Sequence, residues 1–150
     1  GRVTYYGPEA DSAARGKIKS IGTANITYYG AYETEARKGK IRAIGSKIFD
    51  YYSNYDNQAL NGRIKSMGPI MLDYFTSYDN EAFKGKLKSV GTTSITYFST
   101  FDDKMIKGKI KSIGSVKYNW PTSLDRPGYS QGLSPNLYRQ TINDITYIVQ

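Results

Sequence analysis

The sequence predicts an all-β fold: tandem 23-residue β-hairpin repeats forming an elongated twisted sheet or a β-solenoid-like array. Three observations predict it. A glycine-bounded basic segment returns every 23 residues without a slip, as GKIKSIG from Gly16, GKIRAIG from Gly39, GRIKSMG from Gly62, GKLKSVG from Gly85 and GKIKSIG from Gly108. A β-branched and aromatic segment follows, as in Ile26-Thr27-Tyr28-Tyr29, and its likeness Val3-Thr4-Tyr5-Tyr6 stands one period earlier. The remaining stretch of each period is a short loop with turn chemistry and no room for a long helix.

Each element has a local reason. Lys17-Ile18-Lys19-Ser20-Ile21 alternates as a half-buried strand does. Gly22 and the variable residues after it read as a turn, and Ile26-Thr27-Tyr28-Tyr29 as the returning strand of an antiparallel hairpin. In the loops, Tyr55-Asp56-Asn57 and Tyr78-Asp79-Asn80 carry side chains that bond nearby backbone amides. The array is expected over residues 1–120, with a partial repeat at 1–15 and repeats from 16, 39, 62, 85 and 108. Residues 121–150 are expected to form a capping segment. It holds Pro121, Pro127 and Pro135 and ends in a strand at Ile145-Thr146-Tyr147-Ile148. The alternative architecture closes the hairpins into a barrel.

Stacking the copies sorts their residues into columns. Ile18, Ile41, Ile64, Leu87 and Ile110 form one apolar column; Ile26, Phe49, Leu72, Ile95 and Tyr118 a second; Tyr28, Tyr51, Tyr74, Tyr97 and Trp120 a third. These are the expected core, with Ala36, Ala59, Ala82 and Met105 tucked against it from the loops. Strict alternation puts Tyr6, Tyr29, Tyr52, Phe75 and Phe98 on the opposite face. Two cation rows are expected to point outward there: Lys17, Lys40, Arg63, Lys86 and Lys109, and Lys19, Arg42, Lys65, Lys88 and Lys111.

The chain of 150 residues suits one compact domain or one unbroken array. It has no cysteine and no histidine, which excludes disulfides, thiolate metal sites and imidazole-based nucleophile activation. The loop acids lack the spacing and closing glutamate of a calcium loop, so neither metal nor cofactor is expected. Asp50 and Asp73 occupy one column, but Thr27 and Thr96 fill the same position elsewhere, so they read as surface carboxylates facing lysines. No enzyme is expected. The net charge of +8 lies within residues 16–120. It implies an anionic partner: nucleic acid, acidic polysaccharide or a charged membrane surface. No apolar run approaches the ~20 residues that span a bilayer. The start at Gly1 is expected to reflect processing or trimming.

The 23-residue period, the Gly-Lys start and the tyrosine-rich second strand resemble MORN-type β-hairpin repeats, although the Tyr-x-Gly-x-Trp signature of that family is absent. The resemblance implies an elongated hairpin array used as a scaffold or for membrane or protein contact. The aromatic hairpins are also similar to choline- and glucan-binding repeats of bacterial surface proteins, without their tryptophan cages. The expected function is a non-enzymatic structural or adhesive repeat protein of a secreted or cell-surface layer, self-assembling head to tail through terminal strands. The alternative is a polyanion- or glycan-binding module using the cation rows with Tyr29, Tyr52, Phe75 and Phe98.

Overall fold

The computed structural model describes residues 1–124 and 139–149. The described chain is all-β, with 13 antiparallel strands and no helix. Strand order follows chain order from β1 to β11 and is open, so the hairpins do not close into a barrel. Two compact units divide the chain, Gly1–Leu72 and Asp73–Gln150.

The first unit holds β1 (Val3–Tyr5), β2 (Ile18–Ile21), β3 (Ala24–Tyr28), β4 (Ile41–Ile44), β5 (Lys47–Tyr51), β6 (Ile64–Met67) and most of β7 (Ile70–Tyr74). The turn between β2 and β3 is tighter than the sequence suggests. Ile21 pairs with Ala24, so Ala24 and Asn25 belong to the strand and only Gly22 and Thr23 turn. Gly22 has φ of 59°, the positive value that a type II′ turn requires at its first central residue.

A second departure is a bulge in the β1–β2, β3–β4 and β5–β6 ladders. Thr27 pairs with Ala43 but Tyr28 pairs with Ile41, so an extra residue, Arg42, enters one strand. A bulge interrupts the two-residue alternation of side chains. Ile41 and Ile44, three apart, therefore both face partners on the core side, Tyr28 and Ile26. Ile26, Tyr51, Leu72, Ile95 and Tyr118 are buried, while Ile18, Ile41, Ile64, Leu87 and Ile110 are half-buried. Of the expected loop residues, Ala36 is buried and Ala59 and Ala82 are half-buried, and the next position along adds to them. Leu60 and Ile106 are buried, whereas Met105 is exposed. Arg37 takes that loop position in the preceding copy and instead pairs with Asp50 at 2.9 Å.

The second unit holds β8 (Leu87–Val90), β9 (Thr93–Tyr97), β10 (Ile110–Ile113), β11 (Val116–Lys117), β12 (Arg139–Ile142) and β13 (Ile145–Ile148). Of the expected capping segment, residues 125–138 and 150 lie outside the described residues. Its end is a complete hairpin rather than a lone strand. β12 and β13 pair through Asn143 and Asp144, whose φ values of 51° and 65° fit a type I′ turn. Ile142 Cδ1 lies 3.5 Å from where a Cβ on Gly114 would stand, so this hairpin packs on the turn end of β10 and β11. Val90, Thr93 and Ile113 are buried here, Ile113 at 1% exposure, whereas Ile21 of the first unit is 47% exposed.

Candidate functional site

The two cation rows separate. Lys17, Lys40 and Lys86 each donate from Nζ to a glycine carbonyl 22 residues on: Gly39 at 2.5 Å, Gly62 at 2.6 Å and Gly108 at 2.6 Å. Arg63 donates from Nε to the Ala59 carbonyl at 2.8 Å. The same lysines cover the third-column rings, Lys17 over Tyr28 at 5.1 Å, Lys40 over Tyr51 at 5.0 Å and Lys86 over Tyr97 at 5.4 Å, and Lys109 lies 4.6 Å over Trp120. The recurring loop-end glycine is explained by its backbone, since Gly16, Gly39, Gly62, Gly85 and Gly108 all have positive φ. Gly62 has φ of 78°, and a Cβ there would stand 2.8 Å from Lys40 Nζ.

Lys19, Arg42, Lys65, Lys88 and Lys111 differ. They lie over Tyr6, Tyr29, Tyr52, Phe75 and Phe98 at 5.6–5.9 Å. None has an ion-pair partner within 4.0 Å among the described residues. Four of the five are exposed, and Lys65 is half-buried. A cation held over a ring keeps its remaining donors for water or a ligand.

The outer rings are half-buried, neither hidden nor open. Tyr6, Tyr29 and Tyr52 donate their hydroxyls to the carbonyls of Ile26, Phe49 and Leu72 at 2.7–2.8 Å. The third column does the same toward the first: Tyr28 to Ile18, Tyr51 to Ile41 and Tyr97 to Leu87. Trp120 substitutes its indole N–H, 2.7 Å from the Ile110 carbonyl. The two columns are not on opposite faces, as alternation predicts, but meet edge to face. Tyr6 lies 6.1 Å from Tyr28, Tyr29 lies 6.1 Å from Tyr51, and Phe75 lies 6.0 Å from Tyr97. The outer rings stand one residue past the strand ends at Tyr5, Tyr28, Tyr51, Tyr74 and Tyr97, where strand alternation no longer fixes their side. Burial pushes the Tyr97 hydroxyl up to about 12 and raises Tyr28, Tyr51 and Tyr118 above their ordinary 10.0.

The acids are engaged locally. Asp50 accepts from Arg37 and from the Tyr51 amide, not from a lysine, and Asp73 accepts from the Tyr74 amide at 2.8 Å. Asp56, Asp79 and Asp102 accept the amides of Ser53, Thr76 and Ser99 at 2.6–2.8 Å. Ser53, Thr76 and Ser99 in turn accept the amides of Tyr55, Tyr78 and Phe101. The Tyr55, Tyr78 and Phe101 loops are thus small bonded rings that hold their aromatic tips outward. Tyr32, Tyr55, Tyr78 and Phe101 are all at least 90% exposed. In the sequence these tips are loop residues with no assigned role. The signal that reveals them is an aromatic at a fixed loop position beside turn-forming Asp and Ser, where no core column needs one.

A surface pocket of about 300 Å³ lies in the second unit, lined by Glu81, Ala82, Lys86, Thr100, Lys107 and Gly108. Among the described residues, no group of three acids could hold a metal ion, and no helix is long and apolar enough to cross a membrane.

The class that fold and surface define is an open antiparallel sheet of short hairpins whose polar side chains recur at equivalent places. No family model, curated protein or solved structure matches this chain.

Proposed function

We propose that this chain is a non-enzymatic structural or adhesive protein: an elongated array of 23-residue hairpin repeats at a secreted or cell-surface layer, with the scaffold character that the MORN-type resemblance implies. One observation carries this reading. Equivalent side chains make equivalent internal bonds in successive repeats, as in Lys17, Lys40 and Lys86 to the next glycine carbonyl. Side chains fixed this way build a repeating surface rather than a single reacting centre. Assembly between copies of the chain would use strand edges, and among the described residues β1 is hydrogen-bonded to a strand on one side, β2. Electron microscopy and sedimentation of the purified protein test assembly. Concentration-dependent filaments support it, and dispersed monomers at high concentration refute it.

A specific observation favours a second reading, polyanion binding. Lys19, Arg42, Lys65, Lys88 and Lys111 carry charge over aromatic rings with no carboxylate within ion-pair distance among the described residues. Retention on immobilised heparin that falls steeply with salt, and falls further in Lys65→Gln/Lys88→Gln, is the expected result. Unchanged retention in that variant removes the row from the binding surface.

A further inference from the structure

We propose that the aromatic loop tips bind an uncharged linear polysaccharide of β-linked pyranoses. This rests on the adhesive reading and names what the loops adhere to. Tyr32 and Tyr55 in the first unit, and Tyr78 and Phe101 in the second, are the most exposed aromatic side chains described. Free loops lose entropy when a ligand orders them. The Tyr55, Tyr78 and Phe101 loops are already ordered by reciprocal bonds, such as Ser53 N to Asp56 at 2.8 Å with Tyr55 N to Ser53 Oγ at 3.2 Å, and the Tyr32 loop is held by the Ala31 amide on Asp11 Oδ1 at 3.0 Å. Successive loops are also tied together. Asn80 donates from Nδ2 to Thr100 Oγ1 at 2.9 Å and accepts the Thr100 amide at 3.1 Å, which fixes the Tyr78 loop against the Phe101 loop.

The chemistry around the rings selects among partners. Two strands separate successive tips within a unit, and at ~4.8 Å per strand the rings recur at roughly 10 Å. That pitch is close to the disaccharide repeat of an extended β-1,4-linked chain. Pyranose rings present an apolar face for stacking and equatorial hydroxyls for hydrogen bonds. Beside the tips stand hydrogen-bonding groups: Asp56 and Asn57, Asp79 and Asn80, Asp102 and Thr100. The pocket lined by Glu81, Thr100, Lys86 and Lys107 includes Thr100, the residue before Phe101, and its volume of about 300 Å³ has room for a sugar ring. The loops carry little charge. Residues 30–38 and 99–107 each sum to zero, and 53–61 and 76–84 each to −1. The positive excess lies on the strands instead, so an anionic polymer or anionic lipid surface would be drawn to the strands, not to the tips. A protein partner would need a contiguous apolar core, and single rings set among acids and amides do not supply one.

The test uses hydroxyethyl cellulose in affinity electrophoresis and chitin beads in pull-down, both in ~1 M salt, where the basic rows are screened. The expected result is retention of the native chain by at least one polymer. Joint Tyr32→Ser, Tyr55→Ser, Tyr78→Ser and Phe101→Ser replacement is expected to weaken it by about tenfold or more, the scale of lost ring stacking. Heparin retention at low salt should be unchanged in that variant, so the strand rows and loop tips report separately. If the variant does not fold, the native chain still decides. Bound polymer should protect Tyr32, Tyr55 and Tyr78 from nitration by tetranitromethane. No retention of the native chain, equal retention of the folded variant, or full nitration in saturating polymer overturns the proposal. Tip-dependent sedimentation with neutral phosphatidylcholine vesicles, or tip-dependent self-association, without polymer retention, also overturns it and assigns the tips to lipid or to a second copy.

Discussion

Lys86 and Lys88 stand two residues apart, carry the same charge, and end in different environments. Lys86 reaches the Gly108 carbonyl at 2.6 Å and lies over Tyr97, whereas Lys88 lies over Phe75 with no carboxylate within ion-pair distance among the described residues. Similar pairs recur at Lys17 and Lys19 and at Lys40 and Arg42. The difference teaches that a regular cation ladder can be two ladders. One, through Lys17, Lys40 and Lys86, binds a glycine carbonyl further along the chain and belongs to the fold. The other rests on an aromatic ring and remains available to a partner.

Breaking the first ladder at its acceptor should have the largest effect. Gly62→Ala puts a Cβ at φ of 78° and within 2.8 Å of Lys40 Nζ. A loss of about 2 kcal/mol in urea unfolding is expected, from left-handed strain plus the displaced lysine. A change below about 0.5 kcal/mol would show that Gly62 is not constrained by either. Lys40→Met keeps the stem over Tyr51 and removes the ammonium, and should cost about 1–2 kcal/mol. Tyr51→Phe, which leaves the Ile41 carbonyl without its 2.8 Å donor, should cost about 1 kcal/mol. Tyr55→Phe at the loop tip should leave unfolding unchanged, which sharpens the contrast between a bonded hydroxyl and an exposed one.

The hydroxyls also set an alkaline limit. Tyr97 titrates at about 12 in the folded chain against 10.0 unfolded, so the unfolded state loses its proton first as pH rises. The contribution of Tyr97 to stability is fully present below pH 10 and is lost from there through about pH 12. Denaturation midpoints followed at alkaline pH check this, and a flat profile between those limits contradicts it. The smallest effect on stability belongs to the second ladder. Lys88→Gln should change unfolding by less than about 0.5 kcal/mol while lowering the salt needed to elute the protein from heparin.

Much of the fold is legible in the sequence because its determinants are local. Gly22 and the alternation from Lys17 to Ile21 specify a hairpin without reference to anything distant. The bulge is not legible, because Arg42 looks like any other strand residue. Its extra place in the ladder appears only when Tyr28 is seen to pair with Ile41. Nor is the position of the outer rings legible, which follow the strand ends and touch the third column instead of opposing it. β12 escaped notice for a different reason: Arg139-Gln140-Thr141-Ile142 carries little apolar pattern and becomes a strand by pairing with β13. Of the candidate site, the cation positions could be read, but not their acceptors, since a backbone carbonyl leaves no mark on sequence. The loop tips were visible as tyrosines yet lacked a reason to be singled out until their exposure was known.

The reach of Lys40 to Gly62 has a consequence for how such a chain can change its length. One residue inserted between them would carry the carbonyl out of register with the ammonium. A whole 23-residue block inserted at the same place would give each lysine a new glycine and each glycine a new lysine. The contact therefore acts as a reading frame written in three dimensions. Growth or loss by whole blocks is tolerated, and drift by single residues is not.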